Sequence, residues 1–260
     1  MSGPDLMEIA KESVASIWVT LNGVGGHGTA FAYKQVVNGN KSTVYFITNL
    51  HNFSESLRDY REVLRLAKSG ATDEEMMMRA FVVLGGREFE IDKIVTFRGA
   101  LFEKYERQHD FAIFPIEIES SEPLSMFALP TTGEAQQGEQ VFAFGYPSIT
   151  DLGITGGIVS KIYSDHEDPN LRYQIQHSVL INPGNSGGPT VNTHGVAIGM
   201  STWGIIQNPD GSPVTGVNFS VDVAHTFGIC RQEELVEEIS MKAIYRRFVA
   251  RAREHFKFGS

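Results

Sequence analysis

The sequence predicts an all-β fold, a sandwich or a pair of barrels, interrupted by one helical insertion and followed by a C-terminal helix. Three observations carry this. Short runs rich in Val, Ile, Phe, Tyr and Thr recur about every ten residues, separated by Gly, Pro, Asn and Asp, as many short strands require. A ~30-residue strand–helix–strand rhythm is missing, as is any internal repeat. Only residues 54–78 and 232–258 shift to a helical period.

In chain order, strands are expected from Val14. They cover ASIWVTL, TAFAYK and STVYFITNL, with the glycine-rich GVGGHG after the first and an Asn38-Gly39 turn before the third. In SESLRDYREVLRLAK, Leu57, Tyr60, Leu64 and Ala67 fall at helical spacing, with Ser54 as cap and Ser69-Gly70 as stop. Thr72 to Glu75 resembles a capping box opening a short Met-rich helix, whose Met76, Met77 and Met78 read as packing filler. Strands resume at AFVVLGGREFEIDKIVTF, DFAIFPIEI and EQVFAFGYP, and continue through GITGGIVSKIY, LRYQIQHSVLI, GVAIGMSTW and GVNFSV. From Gln232 to Phe258 one amphipathic helix is expected, with Met241, Ile244, Tyr245, Phe248, Ala252 and Phe256 on its apolar stripe. Glu233, Glu234, Glu237 and Glu238 crowd its start and Arg246, Arg247, Arg251 and Arg253 its end, which suits the helix dipole.

Size and charge bound the function. The 260 residues suffice for one two-lobed domain or two small ones, and 42% hydrophobic with 20% charged residues is ordinary globular composition. Twenty-two Lys and Arg against 31 Asp and Glu leave a net charge of −9, which argues against a nucleic-acid partner. One cysteine, Cys230, excludes an internal disulfide framework. Neither the N-terminus nor any later segment has an apolar run long enough for a signal peptide or a spanning helix. The expectation is a cytoplasmic protein without a membrane partner, in a reducing compartment or simply not in need of disulfide staples.

The strongest local signal is Asn182-Pro183-Gly184-Asn185-Ser186-Gly187-Gly188-Pro189, set between two strand-like runs. A serine hydroxyl becomes a nucleophile only when it is exposed, beside a base and facing fixed N–H donors. Glycines at 184, 187 and 188 permit a tight turn and a close approach by a substrate carbonyl, and the N–H groups of Gly184 and Ser186 are the candidate oxyanion donors. Of eight histidines, His51 ends the apolar strand TVYFITNL, where a rigid element hands over to a loop, and is the candidate base. His27, in GGHGTAF, reads as a solvated turn residue. Asp110 opens the apolar run DFAIFPI and is the candidate for holding His51 in one tautomer; Asp92 competes, but alternation in IDKIV leaves it on a polar face. The order His51, Asp110, Ser186 suits a site shared by two lobes.

The segments GTAFAY, FITNLHN, HDFAIFPI, FAFGYP, GGIVSKI, INPGNSGGP, VAIGM and GVNFSV resemble, in this order, those of trypsin-like peptidases, and are most similar to the HtrA branch. The resemblance runs from about Val14 to Val223. It implies a chymotrypsin-like domain over 14–228, with two six-stranded antiparallel β-barrels at about 14–117 and 136–224, the helical insertion at 54–78, and the C-terminal helix in 229–260. It also implies a serine endopeptidase acting on protein or peptide substrates, with His51 as base, Asp110 as orienter, Ser186 as nucleophile, and no metal or other cofactor.

The chain departs from that pattern in its insertion and in having too few residues after 230 for a PDZ domain, so stress sensing and trimer-based allostery do not carry over. Asn185 stands where zymogen-derived enzymes keep an aspartate for the new N-terminal amine, so no proteolytic activation is expected. For specificity, Leu180 is expected near the base of the primary pocket. Met200, Ser201 and Trp203, in the strand GMSTWG, are expected along an extended substrate, with Trp203 or Ile205 narrowing the pocket. An uncharged residue before the scissile bond follows. Two other readings stay open: a catalytically silent peptide-binding module on the same fold, and an enzyme switched on by a protein partner.

Overall fold

A computed structural model of the chain describes residues 1–21, 24–54, 78–101, 109–131, 135–149, 151–163, 171–208 and 210–257. The expected insertion falls almost wholly outside them. Before the first strand lies a helix that the sequence reading passed over, α1 (Gly3–Ser13). It starts at a capping box in which the Asp5 carboxylate accepts from the Ser2 N–H (2.9 Å) and the Ser2 hydroxyl accepts from the Asp5 N–H.

The N-terminal lobe contains β1 (Val14–Leu21), β2 (Val24–Asn38), β3 (Lys41–Thr48), the single turn α2 (His51–Ser54), β4 (Met78–Leu84), β5 (Arg87–Glu90), β6 (Lys93–Phe97) and β7 (Ala112–Ile118). The β2–β3 hairpin turns at Gly39, whose φ of 67° glycine adopts freely. The C-terminal lobe contains β8 (Gln140–Gly145), β9 (Gly153–Ile162), β10 (Gln174–His177), β11 (Pro189–Asn192), β12 (Ala197–Gly204) and β13 (Asn218–Asp222), followed by α3 (Val223–Cys230). Its six strands close into a barrel in the order β10-β13-β12-β11-β8-β9.

The N-terminal lobe departs from a six-stranded barrel. It is a half-barrel sheet of eight strands, and one end strand, β14 (Val236–Ser240), comes from the segment expected to be helical. β14 runs antiparallel to β6, with Val236 opposite Phe97 and Ser240 opposite Lys93. The β-branched Val236 and Ile239 suit a strand, and the edge of β6 offers the segment backbone partners that solvent would otherwise supply. The terminal helix α4 (Met241–Lys257) therefore begins later than expected, where the Met241 N–H donates to the Asp92 carbonyl (2.9 Å). Glu237 and Glu238 lie on β14, not in the first turn of a helix. Glu237 instead accepts from the Gly99 N–H (2.8 Å) and pairs with Arg247 (3.3 Å). The apolar stripe holds where it is described: Met241, Ile244, Tyr245 and Phe248 are buried.

Among the described residues, three apolar clusters organise the molecule. One fills the N-terminal lobe around Phe46, Phe53 and Phe114 and includes Ile239 of β14 and Ile244 of α4. A small one fills the barrel around Val141, Val159 and Ile175. The third joins the lobes: Phe31, Ile47 and Phe111 meet Phe144, Val191, Met200 and Val221, with Leu6 and Ala10 of α1 and Val223 and Ile229 of α3 packed into the same cluster. Residues carried by different lobes are thus held against one another by a continuous core.

Candidate active site

β3 ends at Thr48, and His51 starts the single turn of α2. Its backbone N–H donates to Asp110 Oδ1 (2.9 Å) and its Nδ1 lies 2.7 Å from Asp110 Oδ2. A carboxylate oxygen accepts from the ring, so this contact puts the proton on Nδ1 and leaves Nε2 as the acceptor nitrogen. The Asp110 side chain is 5% exposed and that of His51 17%, so the carboxylate is shielded while the ring keeps a path to solvent. Asp110 is anchored just before β7 by Asn49, whose Nδ2 donates to the Asp110 carbonyl (3.0 Å) and to Thr202 Oγ1 (3.1 Å).

Ser186 lies in the turn before β11. Its neighbours Gly184 and Gly187 have φ of 99° and 89°. A Cβ on Gly187 would fall 2.1 Å from both the Thr29 carbonyl and Thr48 Oγ1, so glycine is required there on two counts. The Ser186 carbonyl accepts from the Thr29 N–H (2.8 Å) and from Asn52 Nδ2 (3.0 Å), which ties the serine loop to the turn that carries His51. The Ser186 hydroxyl makes a long hydrogen bond to the Thr202 carbonyl (3.4 Å). With Asn49 on the Thr202 hydroxyl, Thr202 touches both halves of the arrangement.

The orientation of the loop's N–H groups follows from peptide geometry. Among the described residues no peptide bond is cis, and a trans peptide points its N–H away from its C=O. The Pro183 carbonyl accepts from the Ser148 N–H (2.9 Å) and the Asn185 carbonyl from the Gly188 N–H (3.0 Å). The N–H groups of Gly184 and Ser186 therefore face the opposite way, and among the described residues no hydrogen bond claims either one.

The other expected contact residues fare differently. Met200 is fully buried in the core between the lobes, and the Ser201 hydroxyl is buried against Thr190 Oγ1 (3.2 Å), so neither side chain faces a ligand; alternation along β12 sends them to opposite faces, and both faces are covered there. Leu180 is 55% exposed, not at the foot of a closed pocket, and its carbonyl accepts from the Thr155 hydroxyl (3.0 Å). Trp203 is half-buried, stacked on Phe219 (4.0 Å between rings) with its Nε1–H donating to Gln174 Oε1 (3.3 Å). Ile205 and Ile206 follow it on the surface, Ile206 at 76% exposure. His27 is a strand residue on β2, paired across the sheet with Trp18, and its Nε2 lies where a Cβ on Gly184 would come within 2.6 Å.

Sequence reasoning passed over Thr29, Asn49, Asn52 and Thr202. Asn49 and Asn52 had a signal, two amides flanking His51 at the end of an apolar strand. Thr29 and Thr202 had none, because each acts through a residue more than a dozen positions away.

A closed six-stranded barrel packed on a half-barrel sheet, with a glycine-flanked serine tied to a histidine–carboxylate pair at their junction, defines a protein of the chymotrypsin-like fold. The chain belongs to the trypsin-like peptidase family: residues 28–200, more than half of it, match the trypsin-like peptidase domain. Among similar curated proteins, Protease Do-like 5, chloroplastic, of Arabidopsis thaliana is 31% identical over 50% of this chain and 42% of its own length. Serine protease HTRA2, mitochondrial, of Bos taurus is 34% identical over 42% of this chain and 23% of its own. A probable periplasmic serine endoprotease DegP-like of Hahella chejuensis is 31% identical over 49% and 26%. The chain thus spans less than half the length of these relatives. The crystal structure of Deg5 superposes with a TM-score of 0.57 at 24% identity, covering 88% of this chain and 91% of that one, a likeness of fold.

These relatives overturn the expected cytoplasmic location, since their names place them in chloroplast, mitochondrion and periplasm. The inference from cysteine content was unsound: a lone thiol cannot form an internal disulfide in any compartment. Burial also pushes the Cys230 thiol up to about 12, which keeps it protonated and unreactive.

Proposed function

We propose that this chain is a serine endopeptidase that cleaves peptide bonds through an acyl-enzyme on Ser186. The observation that carries the reading is the His51–Asp110 pair, bonded through both the backbone and the ring of His51, and tied by Asn52 to the carbonyl of Ser186. With Nδ1 held by Asp110, Nε2 of His51 is the base that takes the proton from the Ser186 hydroxyl and returns it to the leaving amine. The Ser186 oxygen attacks the scissile carbonyl, and the N–H groups of Gly184 and Ser186 receive the negative charge that develops on its oxygen. Water then attacks the ester by the same route and frees the serine.

The substrate is an extended protein or peptide segment. β12 continues to Gly204, beyond Met200, where its pairing with β11 ends, and this stretch of edge beside Trp203 suits strand addition. Leu180, Ile205 and Ile206 supply exposed apolar surface without an acid, which favours an uncharged residue before the scissile bond. A cleavage profile dominated by Lys and Arg would overturn that preference.

Labelling of the purified chain by a fluorophosphonate tests the chemistry, because the probe needs both an activated serine and the oxyanion donors. Wild type labels and Ser186→Ala does not. A folded wild-type chain that resists the probe would instead be a silent peptide-binding member of the family.

A further inference from the structure

The Ser186 loop is held by a residue from the other lobe. Thr29, fully buried on β2, donates its hydroxyl to the Gly184 carbonyl (2.7 Å) and accepts on the same oxygen from the Tyr146 N–H (3.1 Å). Its backbone N–H donates to the Ser186 carbonyl (2.8 Å), and its own carbonyl accepts from the Thr48 hydroxyl (2.6 Å). Every polar atom of Thr29 is therefore engaged, and two of the four contacts are with the loop.

With the Pro183 and Asn185 carbonyls already bound by Ser148 and Gly188, all four consecutive carbonyls from Pro183 to Ser186 accept a hydrogen bond. A peptide can reverse its N–H only by swinging its own C=O, so the bonds to the Pro183 and Asn185 oxygens fix the two donors, N–H of Gly184 and of Ser186, while the Gly184 oxygen belongs to the peptide that links them, whose Asn185 N–H donates to the Asn182 carbonyl (3.0 Å). Gly145, Gly187 and Gly188 leave the room: a Cβ on each would come within 2.9 Å of Thr29 Oγ1, 2.1 Å of its carbonyl and 3.1 Å of its methyl, respectively.

We propose that Thr29 is a positioning residue, whose hydroxyl locks the peptide following Gly184 and so keeps the oxyanion donors set for reaction. The Gly184 carbonyl is the one of the four whose partner is a side chain alone, so it is the point at which a side-chain substitution loosens the peptide linking the two donors, with the Asn185 N–H on the Asn182 carbonyl as its remaining tie. Left without that hydroxyl, the carbonyl has only rotation, or a water, to restore a partner in a buried site.

The catalytic consequence rests on the peptidase reading; the lock itself can be measured without it. In Thr29→Val the hydroxyl is replaced at nearly constant shape. Loss of a whole oxyanion donor slows an acyl transfer by about 10²–10³-fold, and a loosened loop is expected to slow kcat by about tenfold with KM nearly unchanged. Fluorophosphonate labelling slows by the same factor, and Thr29→Ser, which keeps the hydroxyl, restores both. Amide hydrogen exchange over residues 182–188 speeds up in Thr29→Val and stays at the wild-type rate in Thr29→Ser. Should Thr29→Val fail to fold, Thr29→Ala is the second deletion variant.

A Thr29→Val protein with wild-type labelling, kcat and exchange overturns the proposal. A loss that Thr29→Ser does not restore also overturns it, because it marks a packing role. If wild type does not label, the peptidase reading falls, and hydrogen exchange alone decides the lock.

Discussion

Asp110 shows how much one side chain depends on its surroundings: shielded from water, it accepts from the backbone and the ring of the same histidine. An amide in its place would present an N–H to one of these donors and favour the proton on Nε2, which would disable His51 as the base of the proposed mechanism. Asp110→Asn is therefore expected to lower kcat by about 10³–10⁴-fold with little change in KM, in steady-state peptide hydrolysis. A second histidine reports on pH. His177 is buried in the barrel with its Nε2 2.9 Å from the Ser220 hydroxyl, and burial lowers its pKa from 6.5 to about 4. The unfolded chain takes up that proton near pH 6.5 and the folded chain only near 4. The unfolded state thus binds more protons in that window, and stability falls as pH drops through it. The loss is about 3 kcal/mol once pH is below about 4. Urea unfolding between pH 7 and pH 4 should show this slope in wild type and a flatter profile in His177→Gln; equal slopes would mean that His177 titrates freely.

Among the elements, the serine turn and the C-terminal strand–helix unit make the clearest claims. Gly187→Ala places a methyl against a carbonyl oxygen and a hydroxyl, at a φ that disfavours any side chain, and should destabilise the fold by more than about 2 kcal/mol in urea titration. The β14–α4 unit covers the edge of β6 and contributes Ile239 and Ile244 to the N-terminal core. Phe248→Ala empties a fully buried site on α4, and the expected cost is about 3–5 kcal/mol by the same measurement. A cost under 1 kcal/mol would show that α4 is a detachable appendage. Residues 236–240 mislead because five residues with one buried apolar side chain satisfy a helical and a strand pattern alike. Their state is decided by the vacant edge of β6, which no local window contains.

At the scale of the molecule, the two lobes share the core sealed by α1 and α3, so they should unfold together. The chain has two tryptophans, Trp18 in the N-terminal lobe and Trp203 in the barrel. Denaturant curves of Trp203→Phe and Trp18→Phe, each followed by the remaining indole, should have slopes alike and single transitions, with midpoints offset only by the substitution's own effect. Adding Leu6→Ala should lower both midpoints by a similar amount, a loss of about 2–5 kcal/mol. A transition that moves in only one lobe would mean that the interface is not a common core.

Local chemistry was legible from the sequence by itself. Alternation and turn residues marked the strands, the glycines around Ser186 marked a turn that only they permit, and the placing of His51 and Asp110 at strand ends marked them as exposed to function yet rigidly supported. Backbone sterics and side-chain period act within a few residues, and a sequence records them directly. Tertiary structure alone decided that β14 completes the first sheet, that both faces of β12 are covered at Met200 and Ser201, and that Thr29 reaches across to Gly184. Each of these depends on which segments of a folded chain lie within 3 Å of one another, a property of packing between residues far apart in the sequence that no spacing along it encodes.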